Sequence, residues 1–435
     1  MPNFKIRFRV YDLLFYFLLV FSFYFTRNML CRLMMVLFFG YTVWRLIATK
    51  SKPCFSFYYV GFFIFIIYGF INVAAGNVIN TDIATTMGGS LFLSLLMIFA
   101  IVQYIYMTDD IPRVLRITEL GIFSTALAVT LLSLGTITQG RLGVGTEINS
   151  NVLAILSVCG AILTMYLYKI EKLGRVANWF RLVFYVLVIL LTGSRKGLIM
   201  IPVAVVVIQV MDGKNIFKLL RNALIGALVM VVLYHLIMNV EVLYKITGVR
   251  LQNLLEYLAE GSTTEASLSD RDLLPKLGME YFKQNPWTGY GFDCFKLVSG
   301  KSSNGRVPIG QVGFYSHNNY VELLFGGGII GFVLYYIPII YLMIKLLKSL
   351  PNAKHMPYLL AIMVSRLMVE YAYVSYYERL DIYINAIVLG CVLICPKKQS
   401  AHQSWDKERE GCFNYENDYN KDQTNFFEHL AEKNR

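Results

Sequence analysis

The chain has 435 residues, of which 56% are hydrophobic, 15% aromatic and 16% charged, and its formal net charge is +12. Ordinary soluble domains carry about 25% charged residues, and here the mean hydropathy is +0.54, which excludes a soluble enzyme, a secreted disulfide scaffold and a disordered chain. The basic excess does not point to nucleic acid, because lysines and arginines recur in short loops between apolar segments rather than on one face.

Stretches of roughly 17–25 apolar residues are each long enough to span a bilayer. About twelve occur in chain order, at roughly 10–26, 33–49, 55–75, 89–107, 117–136, 151–168, 178–193, 197–211, 222–240, 319–344, 356–376 and 380–395. The expected fold is therefore all-α: a polytopic membrane bundle of about twelve helices, with one large extracytoplasmic loop. Residues 1–240 would hold the first nine spans and 241–318 the loop. Residues 319–395 would hold the last three spans, and 396–435 a polar, disordered cytoplasmic tail. The basic stretch Met1–Arg9 leads into an apolar run without a small-residue cleavage site, so the first segment is expected to be a spanning helix rather than a signal peptide.

Orientation follows from the basic residues. Lys5, Arg7 and Arg9 put the N-terminus in the cytoplasm. Alternate loops then hold Lys50 and Lys52, Arg113 and Arg116, Lys169 and Lys172, Lys214 and Lys218, and Lys345 and Lys348. The tail begins inside at Lys397 and Lys398, so both termini are expected in the cytoplasm. Arg27, Arg32, Arg141, Arg195, Lys196 and Arg379 break this pattern by falling on or near the outer side. Seven cysteines show no Cys-x-x-Cys pair or metal-ligand spacing. Cys31, Cys159 and Cys391 lie in or beside apolar segments, as small buried thiols do.

The large loop is charge-balanced, with eight Lys/Arg and eight Asp/Glu over 241–318. Leu251, Leu254, Leu255 and Leu258 repeat at helical spacing and predict an amphipathic helix starting near Arg250. A second is predicted from about Asp270 to Gln284, stopping before Asn285-Pro286 because a proline disfavours helix at the residue before it. The stretch from Gly300 to Gly310 reads as flexible.

An ionisable group at membrane depth is a functional hypothesis by default. Arg195 lies in Thr192-Gly193-Ser194-Arg195-Lys196-Gly197, a tight turn between two apolar runs; it is either a ligand contact or a charged hairpin tip. Arg141 sits in Gln139-Gly140-Arg141-Leu142-Gly143-Val144-Gly145, where glycines allow close backbone approach, or simply a flexible loop. His317 is the one histidine of five expected outside, in Tyr315-Ser316-His317-Asn318-Asn319-Tyr320-Val321-Glu322, and histidine suits proton transfer near neutral pH. Glu322 either orients the imidazole or a substrate hydroxyl, or closes a variant capping box with Asn319. Arg250 and Arg271 open the two loop helices; each either reaches an anionic group through its fixed fork of donors or pairs with the loop's own acids. Asp270-Arg271-Asp272 is too short a motif to assign a metal, and none is expected. No zincin, phosphate-binding-loop or serine-nucleophile motif is present.

The segment from Ser316 through Gly326-Gly327-Gly328-Ile329-Ile330-Gly331 resembles the His-Asn…Glu…Gly-x-x-Gly signature of the O-antigen ligase and polymerase superfamily. Asn285-Pro286-Trp287-Thr288-Gly289-Tyr290-Gly291 resembles its Asn-Pro…Gly-x-Gly stretch, and Thr192-Gly193-Ser194-Arg195 its Gly-Ser-Arg turn. The motifs cover roughly 120–345, and the topology covers the whole chain. The resemblance implies a GT-C-like, inverting glycosyltransferase with no metal or other cofactor, whose donor is a glycan on undecaprenyl pyrophosphate. Arg195 and either Arg271 or Arg250 would hold the pyrophosphate. His317 would serve the acceptor as base or positioner, with Asn318 beside it in the motif, and Arg141 resembles a further arginine of polymerase members. The implied place is the outer face of the cytoplasmic membrane, beside a flippase and a chain-length regulator.

Arg141 and the aromatic content favour a Wzy-type polymerase of O-antigen, capsule or exopolysaccharide over a ligase that moves finished glycan to lipid A core. A transporter or flippase of lipid-linked glycan is the alternative of another class. It is disfavoured because the chain shows no inverted repeat and no paired broken helices.

Overall fold

In the computed structural model, which describes residues 9–25, 28–133, 135, 140–144, 146–212, 216–260, 266–302 and 313–395, short polar side chains start most of the long helices. α1 (Val10–Tyr24) begins without a side-chain cap bond, with Asp12 in its first turn. α2 (Met29–Ala48) starts at Asn28, α3 (Phe57–Ala74) at Ser56 and α4 (Thr81–Thr108) at Asn80, each accepting a first-turn amide. Asp110 and Asn149 do the same for α5 (Ile111–Leu132) and α6 (Ser150–Lys169). Such caps satisfy amides that have no partner within the helix. α7 (Arg175–Thr192), α8 (Arg195–Asp212) and α9 (Ile216–Asn239) follow. After a turn of π-helix at Tyr244–Gly248 come α10 (Val249–Glu260), α11 (Ala266–Gln284) and α12 (Phe295–Ser302). α13 (Asn319–Ser349), α14 (Met356–Val369) and α15 (379–395) complete the chain.

No strand occurs among the described residues, and the molecule is a polytopic helical membrane protein. A helix covers each of the twelve apolar segments. Among the described residues, however, seven helices are by themselves long and apolar enough to cross a membrane, or eight if the pair bent by 94° at Asn239 is one span. A count of twelve spans is therefore more than helix length and composition establish. α1 and α14 have only 15 and 14 residues, and α8 carries Arg195, Lys196 and Asp212 within its 18.

α6 is the central helix, with 78% of its apolar window buried against 22% for α2. α6 packs on α5, α7 and α8, while α8 also packs on α14, and α13 on α3. Among the described residues, three ion pairs whose carboxylates are buried tie the bundle: Asp12 with Arg113, Glu119 with Arg181, and Asp381 with Arg366. Tyr104 donates to Asp12, Thr164 and Tyr185 donate to Glu119, and Arg366 also donates to Asn385 at 3.0 Å. Buried charges with such partners are structural, and removing one partner strands the other.

α13 is broken at Gly328, whose φ of 62° and ψ of −164° are not helical. The segment 286–291 docks at the break. Tyr290 N donates to Phe325 O and Gly291 N to Gly326 O, both at 2.8 Å, and Ile329 N donates to Pro286 O at 2.8 Å. Tyr68 of α3 donates from its hydroxyl to Gly327 O at 2.8 Å. A side chain at Gly328 would collide with the Trp287 carbonyl, and one at Gly289 with the Phe325 carbonyl. Irregular backbone among apolar helices is stable when protein satisfies its polar groups.

The helix expected near Arg250 is α10, and the one expected from Asp270 begins earlier, at Ala266. Phe295–Ser302 is helical, overlapping the start of the stretch read as flexible; 303–312 lie outside the described residues, as do the tail 396–435 and Arg27.

Candidate active site

The loop after α5 and the turn between α7 and α8 are bonded together. Leu142 N donates to Leu191 O at 2.9 Å, and Arg141 Nε donates to Thr192 O at 2.6 Å. Asn151, at the start of α6, accepts from Ser194 Oγ at 3.0 Å and from the Arg141 guanidinium at 3.4 Å. Gly193 adopts φ 58°, and a Cβ there would lie 2.6 Å from Ile246 O, so the turn tolerates only glycine without rearrangement. Thr247 Oγ1 donates to Leu190 O from the same π-helical turn. The backbone thus fixes where α8 begins, and Arg195 and Lys196 are its first two residues.

Both are buried, at 7% and 4% exposure. Lys196 Nζ lies 5.1 Å from the centre of the Tyr373 ring and has no hydrogen-bond partner among the described residues. The charges acting on it are those of Arg271, Arg141 and Arg195, opposed by Glu378. Cations from three stretches of the chain, namely Arg141, the Arg195–Lys196 pair and Arg271, therefore converge, with the Glu378 carboxylate opposing them at Lys196. Arg250 opens α10, half-buried, and Asp272, next to Arg271, pairs with Lys276 at 2.8 Å.

His317 is joined to this cluster by charge. Burial, then the Lys196 and Arg271 charges, push its imidazole down to about 3. It is therefore neutral at physiological pH, with Nδ1 lacking a hydrogen-bond partner among the described residues. Its ring meets that of Tyr315 edge-on at 4.3 Å. Its φ of 58° is left-handed, which only glycine adopts freely. The flanking residues hold that conformation. Ser316 N donates to Glu322 Oε2 at 2.7 Å, Ser316 Oγ donates to Asn318 O at 2.8 Å, and Asn318 Oδ1 caps α13 by accepting from Tyr320 N and Val321 N.

The cap of α13 is Asn318, not the Asn319 of the variant capping box, and Glu322 binds the Ser316 amide. Asn319 instead points away from the helix start. Its Oδ1 accepts from Ser375 N at 2.9 Å and Tyr376 N at 3.1 Å, and its Nδ2 donates to Tyr336 Oη at 3.0 Å and Glu370 Oε2 at 3.3 Å. Glu370 also accepts from Tyr336 and Ser375 hydroxyls. This clasp fixes the turn after α14 beside the His317 loop.

The sequence marked Lys196 only as a break in the charge pattern, not as a site residue, and did not show the Asn319–Glu370 clasp. Lys196 carried a usable signal, being a second cation in the same tight turn at membrane depth. The clasp carried none, because its partners are 51 residues apart in sequence.

The fold defines a polytopic helical membrane protein, and cationic side chains from separate stretches of its chain converge at this cluster. Residues 180–336 match the family described as O-antigen ligase. The resemblance to the O-antigen ligase and polymerase superfamily thus stands over the stretch holding the Gly-Ser-Arg turn, the Asn-Pro…Gly-x-Gly stretch and the histidine segment. No curated protein matches the chain.

Proposed function

We propose that the chain is a membrane glycosyltransferase that polymerises undecaprenyl-pyrophosphate-linked repeat units on the outer face of the cytoplasmic membrane. The observation that carries this reading is one neutral histidine beside a converging set of cations, of which Arg195 and Lys196 are buried. A pyrophosphate leaving group gains negative charge as its bond to the sugar breaks, and preorganised cations stabilise that charge. Arg195, Lys196 and Arg271 are assigned to the pyrophosphate, with Arg141 holding the turn and adding its charge. Arg271 is preferred to Arg250 because its charge acts on both Lys196 and His317.

In the proposed step the acceptor hydroxyl attacks the donor's anomeric carbon from the face opposite the pyrophosphate. The new carbon–oxygen bond forms as the bond to the phosphate oxygen breaks, inverting the centre. The hydroxyl proton passes to His317 Nδ1. Burial holds the basicity of His317 down most, and the share that the Lys196 and Arg271 charges add to this is recovered when the bound pyrophosphate offsets them. Glu322 and Asn318 act as positioning residues through the backbone of the His317 loop. Both termini lie in the cytoplasm in this arrangement, and the segment 241–318 outside, with a flippase supplying the substrate and a chain-length regulator acting on the product.

A second reading, transfer of finished glycan to lipid A core or another acceptor, is favoured by the description of the matching family. A deletion strain separates the two through its lipid-linked glycans, resolved by size. A single repeat unit on the carrier with no ladder is the result expected of a polymerase. A full ladder retained on the carrier means a ligase, and unaltered glycans would overturn both.

A further inference from the structure

A second polar site lies beside the cationic cluster. It is a cleft of about 350 Å³ whose lining includes Asp293, Lys296, Tyr315, Tyr377, Glu378 and Arg379. Cavities that hold small ligands measure about 300–1,000 Å³. The cleft joins the reaction centre through Tyr315, whose ring touches His317, and through Glu378, whose charge acts on both Lys196 and Tyr315.

Its chemistry differs from that of the cluster. Two carboxylates and two cations line it, so no sign is in excess, and Asp293 pairs with Lys296. Arg379 is anchored toward the bundle by a contact from Nη1 to Cys31 Sγ at 2.9 Å. A phosphate would gain little there, whereas the converging cations at Lys196 suit it. Alternating acceptors and donors with two phenol rings suit an uncharged polyol, whose hydroxyls both donate and accept and whose C–H faces lie on aromatic rings. Burial and Glu378 push the Tyr315 phenol up to about 12, so its hydroxyl remains a donor at physiological pH.

The lining is held from behind. Tyr376 Oη accepts from Asp293 N at 3.0 Å, Gly313 N donates to Lys296 O at 2.8 Å, and Ser299 Oγ donates to Phe314 O. The Asn319–Glu370 clasp sets the turn that carries Tyr377, Glu378 and Arg379. A site whose walls are fixed by such supports is preorganised.

We infer that this cleft is the subsite for the acceptor glycan, binding the sugar whose hydroxyl is presented to His317. The inference rests on the glycosyltransferase reading and adds the residues that recognise the sugar. Arg379, which the sequence placed against the positive-inside pattern, is then a sugar contact rather than a topological marker.

The test uses full-length protein in lipid nanodiscs and two probes. One is undecaprenyl pyrophosphate. The other is the repeat-unit oligosaccharide released by mild acid from the carrier lipid of the deletion strain. Wild type is expected to bind both. Asp293→Asn and Ser90→Trp, both at the cleft wall, are expected to weaken oligosaccharide binding at least tenfold and to leave carrier binding within twofold. Retained carrier binding also shows that the variants fold. If wild type binds the carrier but not the oligosaccharide, or if both variants bind the oligosaccharide normally, the cleft assignment is overturned while the glycosyltransferase reading stands. If wild type does not bind the carrier, that reading itself falls, and the cleft assignment with it.

Discussion

Glu322 accepts the amide of Ser316 at 2.7 Å, and the residue following Ser316 is the left-handed His317. A non-glycine residue in that conformation carries about 1–2 kcal/mol of strain, so the buried carboxylate sets the imidazole's position without touching it. Glu322→Ala should leave a buried donor unsatisfied, lower stability by about 1–3 kcal/mol and reduce polymer formation at least tenfold. Glu322→Gln keeps an acceptor and should restore most of both. Failure of rescue by glutamine, seen by thermal unfolding and glycan ladders, would mean that the carboxylate's charge matters in itself.

Lys196 is a buried cation facing three others. Lys196→Met keeps the apolar stem and removes the charge. It should weaken binding of undecaprenyl pyrophosphate by about 1.5–3 kcal/mol, the worth of a hydrogen bond to a charged group. The empty protein should melt at an equal or higher temperature, because repulsion among the cations is relieved. Reduced affinity together with a large fall in melting temperature would make the lysine structural.

His317 sits near 3 in the folded protein and near 6.5 when unfolded. Between those values the unfolded chain binds a proton that the native chain does not, so this residue's contribution is full above about pH 6.5 and is lost as pH falls toward 3. The melting temperature of wild type should fall from pH 7 to pH 5, and His317→Gln should flatten part of that slope. Bound pyrophosphate counters the neighbouring cations, so carrier binding near pH 6 should take up a fraction of a proton. Calorimetry in buffers of different ionisation enthalpy measures that uptake. Proton release, or no uptake, would contradict the proposed recovery of basicity.

Asn319→Ala would remove the acceptor of two backbone amides and a donor to Glu370. Each stranded buried group costs about 1–3 kcal/mol. The variant should unfold at lower temperature and become sensitive to protease at 373–378. Oligosaccharide binding should fall more than carrier binding. Equal losses of both would show general unfolding rather than displacement of that turn.

Much of the helical layout was legible because apolar run length is a strong signal, and the chain places a helix over every run identified. What hydropathy does not reveal is whether a helix crosses the membrane. α8, with its charged ends, and the short α14 pack on each other and on α6. The candidate residues Arg195 and His317 were legible from motif resemblance and from cost at membrane depth. Their relation to each other was not, because Lys196 and Arg271 link them by charge across the fold. The break in α13 was also hidden: Gly326-Gly327-Gly328 reads as a tolerant helical run until the Trp287 carbonyl is placed where a side chain would be.

That break bears on how proteins of this kind can be recombined. Residues 286–291 and 325–329 complete each other's backbone bonding, so neither stretch of the pair is an independent cassette. An exchange of the 241–318 segment with that of another protein should yield a stable chimera when the donor's own counterpart of 325–329 travels with it. Splicing between the two pieces would leave carbonyls and amides bare among apolar helices, and such hybrids should accumulate as degraded protein. Substrate range would then diversify most freely on either side of this junction, with the junction inherited whole.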